Sequence, residues 1–424
     1  MKIVMPQDQV FWSLKYPLAP ACRENITTDV AIIGGGMAGL AAAQAFRKHG
    51  KKVVLLEQNY CGAGATGKSS GFITPNAELS FTDFSKRYNP EKAHQIWDFI
   101  TSGVTDIRNN IQQANFHCDY VPQDTLMVAN NYSALKKLEI EYHNLAKFGY
   151  QTNFYNQATV QQYLGSKSYL GGVSYEQTFS INGYLYCQAL KQQLQKFGVT
   201  IFEETMVTKL SDHVLTTPHA QITADYIVVC TDRFMPELNL LNQAVYHAQT
   251  FLMISEPLTA NQAQTIFPKE KLLVWDSDLV YSYFRLTSDQ RLLLGGSSLL
   301  KTYATNPEHD SKFMYKKLTN YLATKFPGLN IQFKQMWPGL IGLSKDIAPL
   351  AGRDQNRPFL YYITASAGLP IAAALGRYSA ENLLTNNTDL DDYFSPYRPC
   401  LINGPLQSLL GTKLSFALSN MLCR

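Results

Sequence analysis

The chain has 424 residues, 46% of them hydrophobic and 17% charged, and its 37 Lys+Arg against 33 Asp+Glu leave a net charge of +4. A sizeable core can be buried, which excludes intrinsic disorder, collagen and a coiled coil as the main organisation. The small, evenly spread charge argues against nucleic acid as the main partner. Seven scattered cysteines without a CxxC pair suggest neither a zinc site nor a disulfide scaffold, and a cytoplasmic, reducing location is expected.

In chain order, residues 1–28 read as an irregular arm with Pro6, Pro17 and Pro20 and no signal-peptide pattern. TTDVAII then reads as a buried strand, GGGMAG as a turn, LAAAQAFRKHG as a helix ending at Gly50, and KKVVLLE as a second buried strand. This is a βαβ unit, hence a parallel sheet. CGAGATGKSSGFITP follows as a second glycine- and hydroxyl-rich loop, and residues 78–170 show mainly helical patterns. YLYCQALKQQLQKFGV reads as an amphipathic helix, and ITADYIVVCTD as a strand returning to the first sheet. From 240 to 335 the pattern is antiparallel, with VYHAQTFLMISEP, LLVWDSDLVYSYFRLT and RLLLGGSS as strands and SDQ as a hairpin turn. Residues 359–384 repeat strand, small-residue turn and helix. PLQSLLGTKLSFALSNMLCR is expected to be an amphipathic helix with Leu406, Leu410, Leu414 and Leu418 stacked, either packed on the protein or making peripheral membrane contact. No transmembrane segment is expected.

Gly34, Gly36 and Gly39 form G-x-G-x-x-G between the first strand and the first helix. The first glycine permits the tight turn, the second lets a pyrophosphate approach, and the third lets helix pack on sheet. The helix N-terminus offers N–H groups and a positive dipole to the phosphates. Glu57 ends the second strand, 18 residues after Gly39, where a carboxylate can accept from ribose hydroxyls. Gly62, Gly64, Gly67 and Gly71, with Thr66, Ser69 and Ser70, provide a second backbone cradle that a long flavin dinucleotide needs and a nicotinamide does not. No second G-x-G-x-x-G in a βαβ context follows, so one nucleotide is expected.

The segment TTDVAIIGGGMAGLAAAQAFRKHGKKVVLLEQNYCGAGATGKSSGF resembles the N-terminal signature of the FAD-dependent D-amino-acid oxidase/glycine oxidase superfamily. The resemblance returns at SINGYLYCQALKQQLQKFGVTIFEETMV, SYFRLTSDQRLLLGGSS, MWPGLIGLSKDIAPLAG and LYYITASAGLPIAAALGRYSAENLL, and spans residues 28–385. The arm FWSLKYPLAP is similar to that of the gamma-glutamylputrescine oxidase-like branch. The resemblance implies an α/β FAD-binding domain of the glutathione-reductase type and an α+β substrate domain with a mixed, largely antiparallel sheet. Its expected divisions are an arm (1–28), an FAD-binding domain (29–77, 171–238 and 336–395), a substrate domain (78–170 and 239–335) and a C-terminal tail (396–424).

The resemblance also implies roles. Gly34, Gly36, Met37, Ala38 and Gly39 hold the pyrophosphate, and Glu57 and Gln58 the adenosine. Gly64, Ala65, Thr66, Lys68, Ser69 and Ser70 line the ribityl chain and flavin edge. The Val207 backbone meets adenine, Cys230 and Thr231 pass beside the pyrophosphate and adenosine, and Gly368, Leu369 and Pro370 face the flavin pyrimidine. The covalent-flavin cysteine of some relatives has no counterpart in MWPGLIGLSKD, which implies noncovalent FAD. The family's arginines have no counterpart in GLIGLS or ASAGLP, and Gly368-Leu369-Pro370 replaces the usual Gly-x-Gly, altering the expected flavin O2 contact.

Tyr281, Tyr283, Trp275 and Arg285 are the substrate-pocket candidates, although tyrosines on a strand also read as half-buried sheet aromatics. Trp337 reads as core or pocket, His247 as a satisfied sheet histidine, Arg291 as a salt-bridging residue or an anion ligand, and Cys61 as a small packing residue. The expected activity is FAD-dependent oxidation of a CH–NH bond in a small amine, a polyamine or acylated amine. Glycine or D-amino-acid oxidation, a membrane-associated quinone-linked dehydrogenase and a noncatalytic flavin-binding protein stand as alternatives.

Overall fold

The fold was read from a computed structural model, which describes residues 10–12, 16–76, 78–298, 302–303, 312–366, 368–400, 402 and 404–422. The start of the arm, Ala367 of ASAGLP and Cys423 lie outside the described residues.

The first strand, Ile26–Ile33, becomes fully buried over its apolar second half, as befits a strand covered on both faces. It pairs in parallel with Val53–Leu56 on one side and Gln221–Val229 on the other. Thr200–Phe202 extends the sheet beyond Val53–Leu56. Beyond Gln221–Val229 the edge is shared. The hairpin Lys209–Ser211/Val214–Thr216 pairs with its first half, and Leu360–Thr364 with its second. The helix Met37–Lys48 crosses between the first two strands and packs on the final helix, Leu369–Thr385. A Cβ at Gly376 would lie 2.4 Å from the Ala38 carbonyl oxygen, so only glycine allows this approach. Gly103, in the long helix Pro90–Ala114, likewise meets the Pro370 carbonyl, where an added Cβ would sit 2.0 Å away. These contacts fix the N-terminus of the final helix over the sheet.

The second sheet has eight strands in the order Phe333–Leu343, Tyr246–Pro257, Arg291–Gly296, Tyr283–Leu286, Leu273–Asp276, Thr125–Val128, Gly171–Tyr175 and Thr152–Asn156. Every pairing is antiparallel except Leu273–Asp276 with Thr125–Val128. A small sheet of Phe72–Ile73, Phe179–Ser180 and Val121–Pro122 joins the two halves. The fold is therefore an α/β unit with a largely parallel sheet beside an α+β unit with a mixed, largely antiparallel one.

Several expectations change in detail. The divisions at 171 and 336 would assign Gly171–Tyr175 and most of Phe333–Leu343 to the first sheet, but both pair in the second. The helical stretch 78–170 also contains strands of that sheet. LLVWDSDLVYSYFRLT is two strands joined by a turn, not one. The C-terminal segment is two short helices, Gly404–Leu410 and Thr412–Leu422, separated at Gly411 with φ +75°. Its buried face is Ser415, Phe416, Ser419 and Asn420, whereas Leu406 and Leu414 of the expected leucine row are exposed. The polar face turns inward because the Asn420 amide donates to the Ser344 and Lys345 carbonyls. Among the described residues, no helix is long and apolar enough to cross a membrane.

Candidate active site

A cavity of about 1000 Å³ lies where the two sheets meet, lined at one end by the glycine turn and at the other by the second sheet. The turn is locked by close backbone contacts. Gly34 has φ +107°, and a Cβ there would stand 2.5 Å from the Cys230 carbonyl oxygen. Gly39 does not line the cavity but packs beneath it, with its hypothetical Cβ 1.9 Å from the Gly34 oxygen. The first helix begins at Gly36 without a side-chain cap, which leaves N–H groups of its first turn for a ligand. Thr66 stands opposite, its hydroxyl accepting from the Met37 N–H at 3.1 Å.

Glu57 accepts from the Gly35 N–H at 2.7 Å and the Asn59 N–H at 2.9 Å. Burial pushes its carboxyl above the usual range, and those two donors offset part of the shift. Lys68 and Arg233 also line the cavity. Burial lowers both, and the nearby Arg233 charge lowers Lys68 further. Two cations destabilised in the cavity that the uncapped helix start also lines suit a pyrophosphate, whose charge would restore both. Thr231 Oγ1 is buried there with no hydrogen-bond partner. The glycine cradle, the carboxylate ending the second strand and the orphaned hydroxyl together fit FAD.

The loop beneath is held from both sides. The Trp12 indole donates to the Gly67 carbonyl at 2.8 Å, and the Trp337 indole to the Lys68 carbonyl at 3.1 Å. The two rings meet edge to face at 5.1 Å. Trp337 is thus core rather than pocket.

Of the residues expected at the cofactor, all except Gly39 line the cavity, from Val207, Gln58 and Cys230 through Gly64, Ala65, Ser69 and Ser70 to Gly368, Leu369 and Pro370. Trp275, Tyr281 and Tyr283 line its far end. Arg285 does not. It is fully buried, and its guanidinium donates to Ser70 O at 2.7 Å, Ser180 Oγ at 3.1 Å, Ile181 O at 3.1 Å and Leu286 O at 3.3 Å. It braces the loop and is not a pocket residue. Arg291 forms ion pairs with Glu256 and Asp289, and Cys61 is a buried thiol against Gly35.

Two residues escaped the sequence reading. Asp232 accepts from the Gly342 N–H at 2.7 Å and the Ala365 N–H at 3.2 Å, tying three strand ends together under the cavity. Its place directly after Cys230 and Thr231 was the available signal. Glu78, which accepts from the Tyr281 hydroxyl at 2.7 Å, lies in a loop with no motif to mark it.

A family model described as FAD dependent oxidoreductase (DAO) matches residues 29–382. The chain is 27% identical over 398 residues to a Probable oxidoreductase OrdL of Haemophilus influenzae, covering 91% of this chain and 90% of that protein. It is 27% identical over 399 residues to a Gamma-glutamylputrescine oxidoreductase of Escherichia coli, with the same coverage of 91% and 90%. Among solved structures, an L-proline dehydrogenase from P. horikoshii superposes with a TM-score of 0.75 at 16% identity, over 88% of this chain and 98% of that one.

Proposed function

The chain belongs to the DAO family of FAD dependent oxidoreductases, and we propose that it oxidises the CH–NH bond of an amine without an α-carboxylate, a polyamine or an acylated polyamine. When bound, FAD would supply the two-electron acceptor for the α-hydrogen of the amine, with water hydrolysing the imine product and O2 or another acceptor reoxidising the cofactor. The residues of this chain bind, orient and exclude water. In this reading the backbone of Gly34, Gly36, Met37 and Ala38, with Lys68 and Arg233, takes the pyrophosphate. Glu57 and Gln58 take the adenosine, and the first turn after Gly368 faces the flavin ring.

One observation carries the choice of substrate. Among the described residues, Lys68 and Arg233 are the cations that line the cavity, and none comes from the strands Leu273–Asp276 and Tyr283–Leu286, which bring Trp275 and Tyr283 to it. Burying a carboxylate without a cation costs several kcal/mol, so an α-amino acid fits poorly. The relative from Escherichia coli is named for a polyamine derivative, which supports the reading. An amino-acid substrate is the second reading, favoured by the fold shared with the L-proline dehydrogenase of P. horikoshii. It requires Lys68 or Arg233, the cations lining the cavity among the described residues, to meet the carboxylate.

Anaerobic mixing with putrescine, N-acetylputrescine, glycine, sarcosine and D-alanine, followed by flavin bleaching, tests this. The amines should bleach fastest, and faster bleaching by an amino acid overturns the reading. We place the protein in the cytoplasm, consistent with Cys22, Cys61, Cys118 and Cys187 being buried as thiols. A peripheral membrane contact would fall on the exposed Leu406, Leu409 and Leu414, and co-sedimentation with liposomes checks it.

A further inference from the structure

The helix Thr412–Leu422 lies at one end of the second sheet, where three adjacent strands meet. Phe333–Leu343 and Arg291–Gly296 both finish at that end, and Tyr246–Pro257, antiparallel to each, begins between them. A single side chain joins the segments that follow the outer two. The Asn420 amide donates to Ser344 O at 2.9 Å and Lys345 O at 2.7 Å, and its oxygen accepts from the Tyr303 hydroxyl at 2.8 Å. Thr302, beside Tyr303, donates in turn to Ser297 Oγ at 3.0 Å, one residue past Gly296. One turn earlier on the helix, Phe416 packs on the ring of Tyr246 with centroids 5.5 Å apart, so the first residue of the middle strand is covered as well. The preceding helix adds a pin, since Lys345 Nζ donates to Gln407 Oε1 at 2.6 Å.

Tyr303, Leu343, Asn420 and Met421 all line the cavity, so this helix is part of its wall. Its two lining residues differ in depth. Asn420 is buried, whereas Met421 lines the cavity while 52% exposed, which places it at the rim. The buried face of the helix holds Ser415, Phe416, Ser419 and Asn420, hence one large apolar side chain. Its attachment therefore leans on hydrogen bonds more than on apolar area. Asparagine suits the position because one planar amide both donates twice and accepts. We propose that this helix is the outer wall of the reaction chamber, with Asn420 as the positioning residue that holds it closed through Tyr303 and Met421 as the rim residue that sets the width of what enters. The proposal concerns access to the chamber and does not depend on which amine is oxidised.

The test uses the full-length, FAD-loaded protein and two readouts. Iodide quenching of the bound flavin's fluorescence reports access without any substrate. Asn420→Ala should raise the quenching constant roughly three- to tenfold, because the three hydrogen bonds that close the wall are lost. Tyr303→Phe, which breaks one of them, should raise it less. Leu409→Ser, at a position 82% exposed on the preceding helix, should leave it unchanged. At the rim the effect should run both ways, with Met421→Ala raising the constant and Met421→Trp lowering it. Anaerobic bleaching by n-butylamine and the bulkier 4-phenylbutylamine is the second readout. Met421→Trp should slow the bulkier amine more than the slimmer one at low concentration, and Met421→Ala should narrow the gap, with limiting rates at saturation retained. A merely structural role for the helix would lower the melting temperature and move neither quantity. A quenching constant unchanged in Asn420→Ala overturns the closure by Asn420. A constant and an amine ratio that neither Met421 variant moves overturn the wall, and those exposed substitutions keep the test open where Asn420→Ala fails to fold. Iodide needs no substrate, so its result decides the wall even if an amino acid proves to bleach the flavin faster than every amine.

Discussion

Replacing Arg285 by lysine separates a brace from a substrate ligand. The guanidinium is fully buried, and burial lowers its pKa to about 10. It compensates by donating to three backbone carbonyls and the Ser180 hydroxyl, joining the loop at Ser70 to the strand Phe179–Ser180. An ammonium on a shorter stem cannot span acceptors so far apart. If two of the four bonds are lost at roughly 1.5–3 kcal/mol each, and an easier desolvation offsets part, the loss is about 2–4 kcal/mol. At roughly 2.1 cal/mol/K per residue, unfolding 424 residues carries about 0.9 kcal/mol/K, so the melting temperature should fall by about 2–5 °C. Circular-dichroism melts read that shift. Because Ser69 and Ser70 line the cavity, FAD should also be retained less well through gel filtration. KM for the amine, measured on the FAD-loaded fraction, should not move. An unchanged melting temperature and FAD content, with KM for an amine or amino acid raised, would refute the brace.

Acid precipitation of the protein should release FAD into the supernatant, and flavin left on the pellet would contradict noncovalent binding. Glu57→Ala removes charge-assisted hydrogen bonds worth roughly 1.5–3 kcal/mol, so FAD affinity measured by fluorescence titration should drop at least about tenfold. Gly39→Ala places a Cβ 1.9 Å from the Gly34 oxygen and should displace the turn, yielding colourless protein with near-native far-ultraviolet dichroism. Burial raises the Asp346 carboxyl, but the hydrogen bonds and charges of Arg398 and the charge of Arg87 outweigh it and hold it below the ordinary 3.8. Its contribution is therefore full above pH 3.8 and is lost as pH falls through the depressed folded value. Denaturant melts of Asp346→Asn against wild type should show a stability gap that closes in that direction, and a gap constant through that range would sink the assignment.

The nucleotide half was legible because its geometry is local. A glycine that must approach a carbonyl within van der Waals distance is marked in the sequence wherever it falls, and Glu57 follows from the length of one βαβ unit. Depth was not legible. Alternation put Tyr281, Tyr283 and Arg285 on one face, but periodicity carries no information about which of them stops short of the cavity. Partner choice was hidden for the same reason. GGVSY has little strand character of its own, and it joins the second sheet because Gly171 and Gly172 let the Tyr155 and Met127 carbonyls press close. Glu78 gave no signal, since the Tyr281 hydroxyl that donates to it lies 203 residues further along the chain. The leucine spacing in the tail misled because Ser415, Phe416 and Asn420 meet the protein, while Leu406 and Leu414 stay exposed.

The parallel partners of the first sheet are far apart along the chain, with Ile26 opposite Ile222. At roughly 5–20 residues per second, a ribosome needs about 10–40 s to make what lies between them. Through that interval the apolar strand Ile26–Ile33 has one open edge, an invitation to pair with another chain. Production of native protein should then depend on how well that edge is shielded during synthesis, with slow cooled expression or abundant chaperone raising the yield. Chains that terminate before residue 221 can never close it. They should be cleared or aggregate rather than accumulate as a folded nucleotide-binding half.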